Sequence, residues 1–305
     1  MEIYLPIAEM SVHWLVILGM GGAIGFLSGL FGVGGGFLLT PLLIFYGIPS
    51  VVAVATTSSH VTASSISGAI AQWRKRALDI KMGLVMAAGG LAGTTFGVWL
   101  FAWMRRQGQM DLVVSASYVI LLGTVGTLML RESLATLRAA RSGRPASGQR
   151  SSHHSWIHGL PLKTRFRESR LYISVIPPVV IGFIVGTLSA IMGIGGGFVI
   201  VPAMIYILRM PTNVVMGTSL FQIIIVAAAT TVLQATTNYS VDIVLAALLI
   251  IGGVIGAQFG VQVGARLRGE QLRLLLALLV LAVGIRLLFG LVLPPDDLYT
   301  LALSP

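Results

Sequence analysis

Long apolar runs separated by short polar gaps recur along the whole chain. They fall near residues 13–31, 33–46, 51–72, 82–103 and 112–130, and again near 172–192, 194–208, 214–236, 242–263 and 272–293. A helix needs roughly 20 apolar residues to cross the hydrocarbon core of a bilayer. Most of these runs reach that length. Those at 33–46 and 194–208 are short and predict half-helices or broken, tilted segments. Residues 131–171, rich in Arg, Ser, His and Pro, show no apolar periodicity and predict a partly disordered connecting loop. The His153–His154 pair in it reads as solvated loop rather than as a metal site, because no further ligands stand at a metal-site spacing.

The two sets of five runs repeat one another. SGLFGVGGGFLLTP (28–41) matches SAIMGIGGGFVIVP (189–202) at an offset of 161, and Thr57-Ser58 falls on Thr218-Ser219 at the same offset. GGLAGTTFG (89–97) matches GGVIGAQFG (252–260) at an offset of 163, so the second half has gained two residues on the way. Three blocks matched in order point to a duplication. The expected fold is an all-α integral membrane protein of two inverted-topology repeats. Each repeat has about five helical segments, with broken or short helices after Gly-rich turns. Residues 1–130 and 172–305 form the repeats, and 131–171 a cytoplasmic basic linker.

Charge orients this plan. Five crossings per half, with the central loop in the cytoplasm, place seventeen of the twenty basic residues inside, as the positive-inside rule requires. Both termini then lie outside. An odd number of crossings per half makes the repeats antiparallel, the plan of many secondary transporters. The pair Arg105-Arg106 falls outside and fits least well. The net charge of +10 therefore reports topology rather than nucleic-acid binding. Composition agrees: 56% of residues are apolar, mean hydropathy is +0.92, and only 10% are charged, against about a quarter in soluble domains. The chain has no cysteine, which removes disulfides and thiolate sites. The opening MEIYLPIAEM lacks the cationic start of a cleaved signal peptide, so the first span is expected to be retained.

Two constellations carry candidate chemistry. Gly34, Gly35 and Gly36, and their repeat Gly195, Gly196 and Gly197, interrupt apolar runs just ahead of the short segments. Glycine permits a tight turn and a close approach of backbone to a ligand. The helix that follows starts with unpaired N–H groups and a partial positive charge, an anion site without a charged side chain. Close helix packing is the competing reading. A dinucleotide fingerprint is excluded, because no strand, amphipathic helix and acid surround the glycines. The second constellation is the run Thr56, Thr57, Ser58, Ser59 and His60 with Thr62, Ser64 and Ser65, and its repeat partners Thr218 and Ser219 followed by Gln222. Hydroxyls and amides offer donors to an oxyanion, and they also make ordinary interhelical hydrogen bonds.

His60 is the histidine inside a predicted span, and an intramembrane ionisable group is a functional hypothesis in itself. It would couple transport to protons or add charge to an anion site, against a neutral histidine packed in the bundle. All ten acids lie at segment edges or in loops. No buried carboxylate is therefore expected to hold Na⁺ or relay protons, which points to an anionic or uncharged cargo. The spans hold no nucleophile–base pair and no metal-ligand set, so neither an enzyme, a metal nor a cofactor is expected.

The paired GLFGVGGGFLLTPLL and AIMGIGGGFVIVPAM, the following Ala-Thr-Thr-Ser-Ser and Gly-Thr-Ser-Leu, and the GGLAGTTFG and GGVIGAQFG blocks resemble the TauE/SafE family of membrane permeases. The resemblance covers nearly the whole chain apart from the termini and the central loop. It implies a bacterial-type inner-membrane exporter of sulfite, sulfoacetate or a related organosulfonate, ion- or proton-coupled by alternating access. The expected partners are that small anion and the lipid bilayer. An anion channel, or a transporter of another small anion such as a carboxylate, stays open as the alternative.

Overall fold

The computed structural model describes residues 2–31, 34–74, 77–108, 110–141, 163–166, 168–169, 171–264 and 269–292. Gly32 and Val33 of the first glycine turn, and the His153–His154 pair, lie outside the described residues. The first repeat is a hairpin, β1 (Glu2–Leu5) and β2 (Met10–His13), followed by α1 (Trp14–Phe31), α2 (Gly36–Phe45), α3 (Ser50–Arg74), α4 (Ile80–Arg106) and α5 (Met110–Arg141). The second is a hairpin, β3 (Lys163–Phe166) and β4 (Leu171–Ser174), then α6 (Ile176–Met192), α7 (Gly197–Pro202), α8 (Thr212–Leu233), α9 (Ile243–Gly264) and α10 (Gly269–Val292). Six of these helices are long and apolar enough to cross a membrane. Large apolar side chains such as Leu15, Ile120, Ile184 and Leu278 stand exposed on the outer faces, as lipid contact demands.

The central linker differs from its expectation on both sides. α5 continues through residues 131–141, a stretch of Leu, Ala, Arg and Glu with high helix propensity. Residues 163–174 form the second hairpin, which buries Phe166 and Ile173. Its strands and four-residue loop repeat those of the first hairpin at an offset of 161, and Leu5 and Val12 are the matching buried residues. Each half of the chain is thus a hairpin plus five helices.

The two extra residues of the second half also have a location. α7 runs on into a π-helical turn at Ala203–Ile207, with Leu208 N bonded to Ala203 O at 3.2 Å. α8 ends in another at Gln234–Asn238. A π turn accommodates one extra residue in a helix. After the first of them the offset becomes 162: Pro49 matches Pro211, and Gly47 (φ 99) matches Arg209 (φ 54). After the second it becomes 163, as between Asp79 and Asp242. Thr56-Thr57, rather than Thr57-Ser58, are therefore the counterparts of Thr218-Ser219, a one-residue correction to the sequence alignment.

The halves exchange partners. α1 packs along α9 and α4 along α6, each pair through glycines that let backbones touch. Gly21, Gly25 and Gly29 face Leu249, Gly253 and Ala257, so α1 and α9 run parallel. Gly89, Gly93 and Gly97 face Val179, Phe183 and Thr187 in the same way. The equivalent helices α3 and α8 cross antiparallel, with Gly217 by Gln72 and Leu220 by Gly68. Small residues at such seams replace the hydrophobic drive that lipid removes.

Candidate substrate site at mid-depth

α2 and α7 start from the two glycine turns and run away from each other. Their first helical bonds are Leu39 N to Gly35 O at 3.2 Å and Ile200 N to Gly196 O at 2.9 Å. Gly34, Gly193, Gly195 and Gly196 all take left-handed φ between 71° and 78°, which a side chain would oppose. The turns meet: a Cβ at Gly36 would stand 2.7 Å from Ile194 O and 2.8 Å from Gly193 O. Phe37 and Phe198, equivalent residues, stack with ring centroids 4.6 Å apart. Val61, in the middle of α3, packs against Gly36 and Gly195, and Ile223, in the middle of α8, lies at Gly195. The expected glycines Gly34, Gly35, Gly36, Gly195, Gly196 and Gly197 are thereby brought together half-way along the bundle.

Polar side chains at this depth divide into two kinds. Ser58 donates to Val54 O at 3.3 Å, Ser59 to Thr56 O at 2.6 Å and Ser219 to Met216 O at 3.0 Å. Those hydroxyls are satisfied by their own helix. Thr57 Oγ1 and Nε2 and Oε1 of Gln222 are fully buried and have no hydrogen-bond partner among the described residues. The buried ring nitrogens of His60 make no hydrogen bond of good geometry there, with only the Gly21 backbone beside them. Such orphans are uncommon, and each costs free energy unless something satisfies it. Ser65 and Ser189 add two more hydroxyls without a partner among the described residues, and Thr40 lies beside the Tyr118 hydroxyl. Ser65 Oγ lies 3.9 Å from the position of a Cβ on Gly34, and Thr40 Oγ1 lies 3.1 Å from one on Gly193. Sequence reasoning missed Thr40 and Ser189 as site residues. The match of Ser189 to Ser28 in the first block of the repeat was the available signal.

His60 and Gln222 are symmetry equivalents at the 162 offset. The His60 ring lies against Gly253 of α9, where an added methyl would overlap it, and beside the Gly21 backbone. Gln222 Nε2 lies 3.0 Å from where a Cβ on Gly90 would stand, with Gly182 next to it. Gly253 and Gly21 are the counterparts of Gly90 and Gly182. Each polar side chain thus occupies a slot opened by glycines in one of the two parallel helix seams.

Thr218 is placed elsewhere. It accepts a hydrogen bond from Asp79 N at 2.9 Å and donates to Val214 O. The expectation that no carboxylate is buried is corrected here. Asp79 and Asp242 are both buried, capping the starts of α4 and α9. Asp79 Oδ1 accepts from Met82 N, and Oδ2 from the backbone and hydroxyl of Ser169 at the second hairpin tip. Asp242 Oδ1 accepts from Val244 N and Leu245 N, and Oδ2 from Ile7 N at the first hairpin tip. Its own N–H donates to Thr56 Oγ1 at 3.1 Å. Both acids sit at segment edges as the sequence says, and they are buried because a hairpin folds over each edge.

The sequence profile described as "Sulfite exporter TauE/SafE" matches residues 17–287. The chain belongs to the TauE/SafE family. It is 30% identical over 274 residues to a probable membrane transporter protein, YjnA, of Bacillus subtilis, covering 89% of this chain and 98% of that one. It is also 30% identical over 292 residues to a probable membrane transporter protein of Xylella fastidiosa strain Temecula1, covering 90% and 95%. A probable membrane transporter protein of Methanocaldococcus jannaschii, MJ0441, is 25% identical over 288 residues, covering 90% and 94%. No solved structure matches at comparable significance. This TauE/SafE chain is a multi-pass membrane transporter.

Proposed function

We propose that the chain exports a small sulfur-containing anion, such as sulfite, sulfoacetate or a related organosulfonate, across the inner membrane by alternating access. The observation that carries this reading is the set of buried, unpartnered polar groups gathered at mid-depth around two glycine turns, with no carboxylate among them. Two helix starts add their partial positive charge there. Hydroxyl, amide and backbone donors suit an oxyanion, and the site lacks the carboxylates that a bare cation prefers. Asp79 and Asp242 are held by backbone donors at the two ends and offer little to a cation.

The rest of the architecture supports alternating access. The second-hairpin end carries Arg74, Lys81, Arg165 and Arg209, which makes it the cytoplasmic face under the positive-inside rule. The repeats are then inverted across the membrane, and the two Asp clasps close opposite ends of one path. His60, with its equivalent Gln222, is the group that couples the anion to a proton.

The test is initial uptake of labelled sulfite into liposomes carrying purified protein. Thr57→Val and Gln222→Ala should each raise the half-saturating concentration about tenfold, the loss expected from removing one hydrogen bond to a charged ligand. Ser219→Ala, whose hydroxyl is already spent on Met216, should change it less than twofold. Equal effects from all three would remove the mid-depth site from the account.

A further inference from the structure

Arg105 is the basic residue that charge placement explains least, and the structure gives it specific surroundings. It lines a pocket of about 280 Å³ at the first-hairpin end. The other walls are the hairpin tip at Ile7–Glu9, the first turn of α3, and Tyr239-Ser240 ahead of α9. Arg105 Nη1 donates to Asn238 O at 2.7 Å, which fixes the side chain and uses one of the five N–H groups of a guanidinium. Ser240 is 1% exposed, and its hydroxyl has no partner among the described residues. In α3 the first i→i−4 bond is Ala53 N to Pro49 O at 2.9 Å. The amides of Val51 and Val52 precede it and carry the positive end of a 25-residue helix. Glu9 (φ 53) and Tyr239 (φ 50), both lining residues, are two of the three non-glycine residues with left-handed φ among those described. Strain of this kind gathers at ligand sites.

We propose that this pocket is a second anion site, a way-station at the first-hairpin mouth that takes a small sulfonate through Arg105, the Ser240 hydroxyl and the α3 amides. The identity of the anion and the outward direction rest on the function proposed above. The guanidinium offers a planar fork that fits two oxygens of an oxyanion. Ser240 supplies a neutral donor, buried and therefore unscreened. Glu9 opposes the anion from the same wall. Its repulsion keeps the site weak, which an exit requires, because an ion held tightly at the mouth would not leave. The pocket lies at the start of α3 and the mid-depth site around its middle, so the two are separate stations along one helix.

The opposed charges give the site a signature that a structural role for Arg105 would not. Purified protein is treated with phenylglyoxal, and modification of Arg105 and Arg106 is followed by mass spectrometry. Sulfoacetate, against chloride at equal ionic strength, should slow modification of Arg105 about threefold or more and leave its neighbour Arg106 unchanged. Ser240→Ala should reduce that protection, and Glu9→Gln should strengthen it. Absence of protection, or equal protection of both arginines, overturns the proposal. So does a shift of the two variants in the same direction. Glu9 is an exposed position, so Glu9→Gln carries the test alone should Ser240→Ala fold poorly. Labelled-sulfite flux is measured in parallel. Protection without flux keeps the pocket and removes the proposed export, whereas flux without protection keeps export and removes the pocket.

Discussion

Polar side chains do two jobs in this bundle, and hydrogen bonding separates them. Ser58, Ser59 and Ser219 bond back to their own helices, while Thr57 and Gln222 point buried polar atoms at no partner among the described residues and the His60 ring meets only the Gly21 backbone. The sequence placed all six in one polar constellation, since a hydroxyl's partner depends on rotamer and neighbours rather than on spacing. His60→Gln is the informative substitution here. Glutamine already occupies the equivalent slot at Gln222, so the change should fold. It removes the one ionisable side chain of the pair. Sulfite flux in that variant should lose its dependence on an imposed pH gradient, while sulfite–sulfite counterflow persists. An unchanged pH dependence, measured in proteoliposomes, would exclude His60 from coupling.

Among the elements, the ten apolar runs and their short members at α2 and α7 were legible in the sequence, because length and hydropathy alone decide what lipid accepts. The hairpins were not. Each strand has four residues, too few for a period-2 pattern to stand out from the flanking runs. The two-residue gain was visible as a change of offset, but only the backbone shows it divided between two π turns. The partner exchange of α1 with α9 and α4 with α6 was also hidden, since glycine patterns mark a seam without naming its partner. These seams give a paired stability prediction. A methyl on Gly25 would overlap the Gly253 backbone, whereas one on Gly19 meets nothing within 4 Å. Gly25→Ala should cost about 1–3 kcal/mol by overpacking. Gly19→Ala should be neutral or gain up to about 1 kcal/mol of helix propensity. Thermal unfolding in detergent should order the two variants below and at or above the parent.

At the scale of the whole molecule, Asp79 and Asp242 stand at matching places in the two halves. Each caps the fourth helix of its own repeat, catches a hairpin tip, and bonds through its backbone N–H to a threonine of the other repeat. The sequence located both acids at edges but could not bury them, because the burial needs three elements distant along the chain. Asp79→Asn and Asp242→Asn each weaken one clasp and should loosen opposite ends. The chain contains no cysteine, so Ser65→Cys introduces a sole thiol at mid-depth. Its labelling by a membrane-impermeant maleimide should rise from the second-hairpin face in Asp79→Asn and from the first-hairpin face in Asp242→Asn. Equal change from both faces would show the clasps to be structural caps alone, worth about 1 kcal/mol each.

The central claim is that a sulfur oxyanion crosses through the mid-depth site by alternating exposure. Counterflow of labelled sulfite in liposomes tests it directly, with unlabelled sulfoacetate, taurine, sulfate and acetate as competitors. Saturable, protein-dependent counterflow is expected, suppressed by sulfoacetate and not by acetate. Flux that never saturates and follows voltage would replace the transporter by a channel, and no protein-dependent flux of any sulfur anion would contradict the cargo outright.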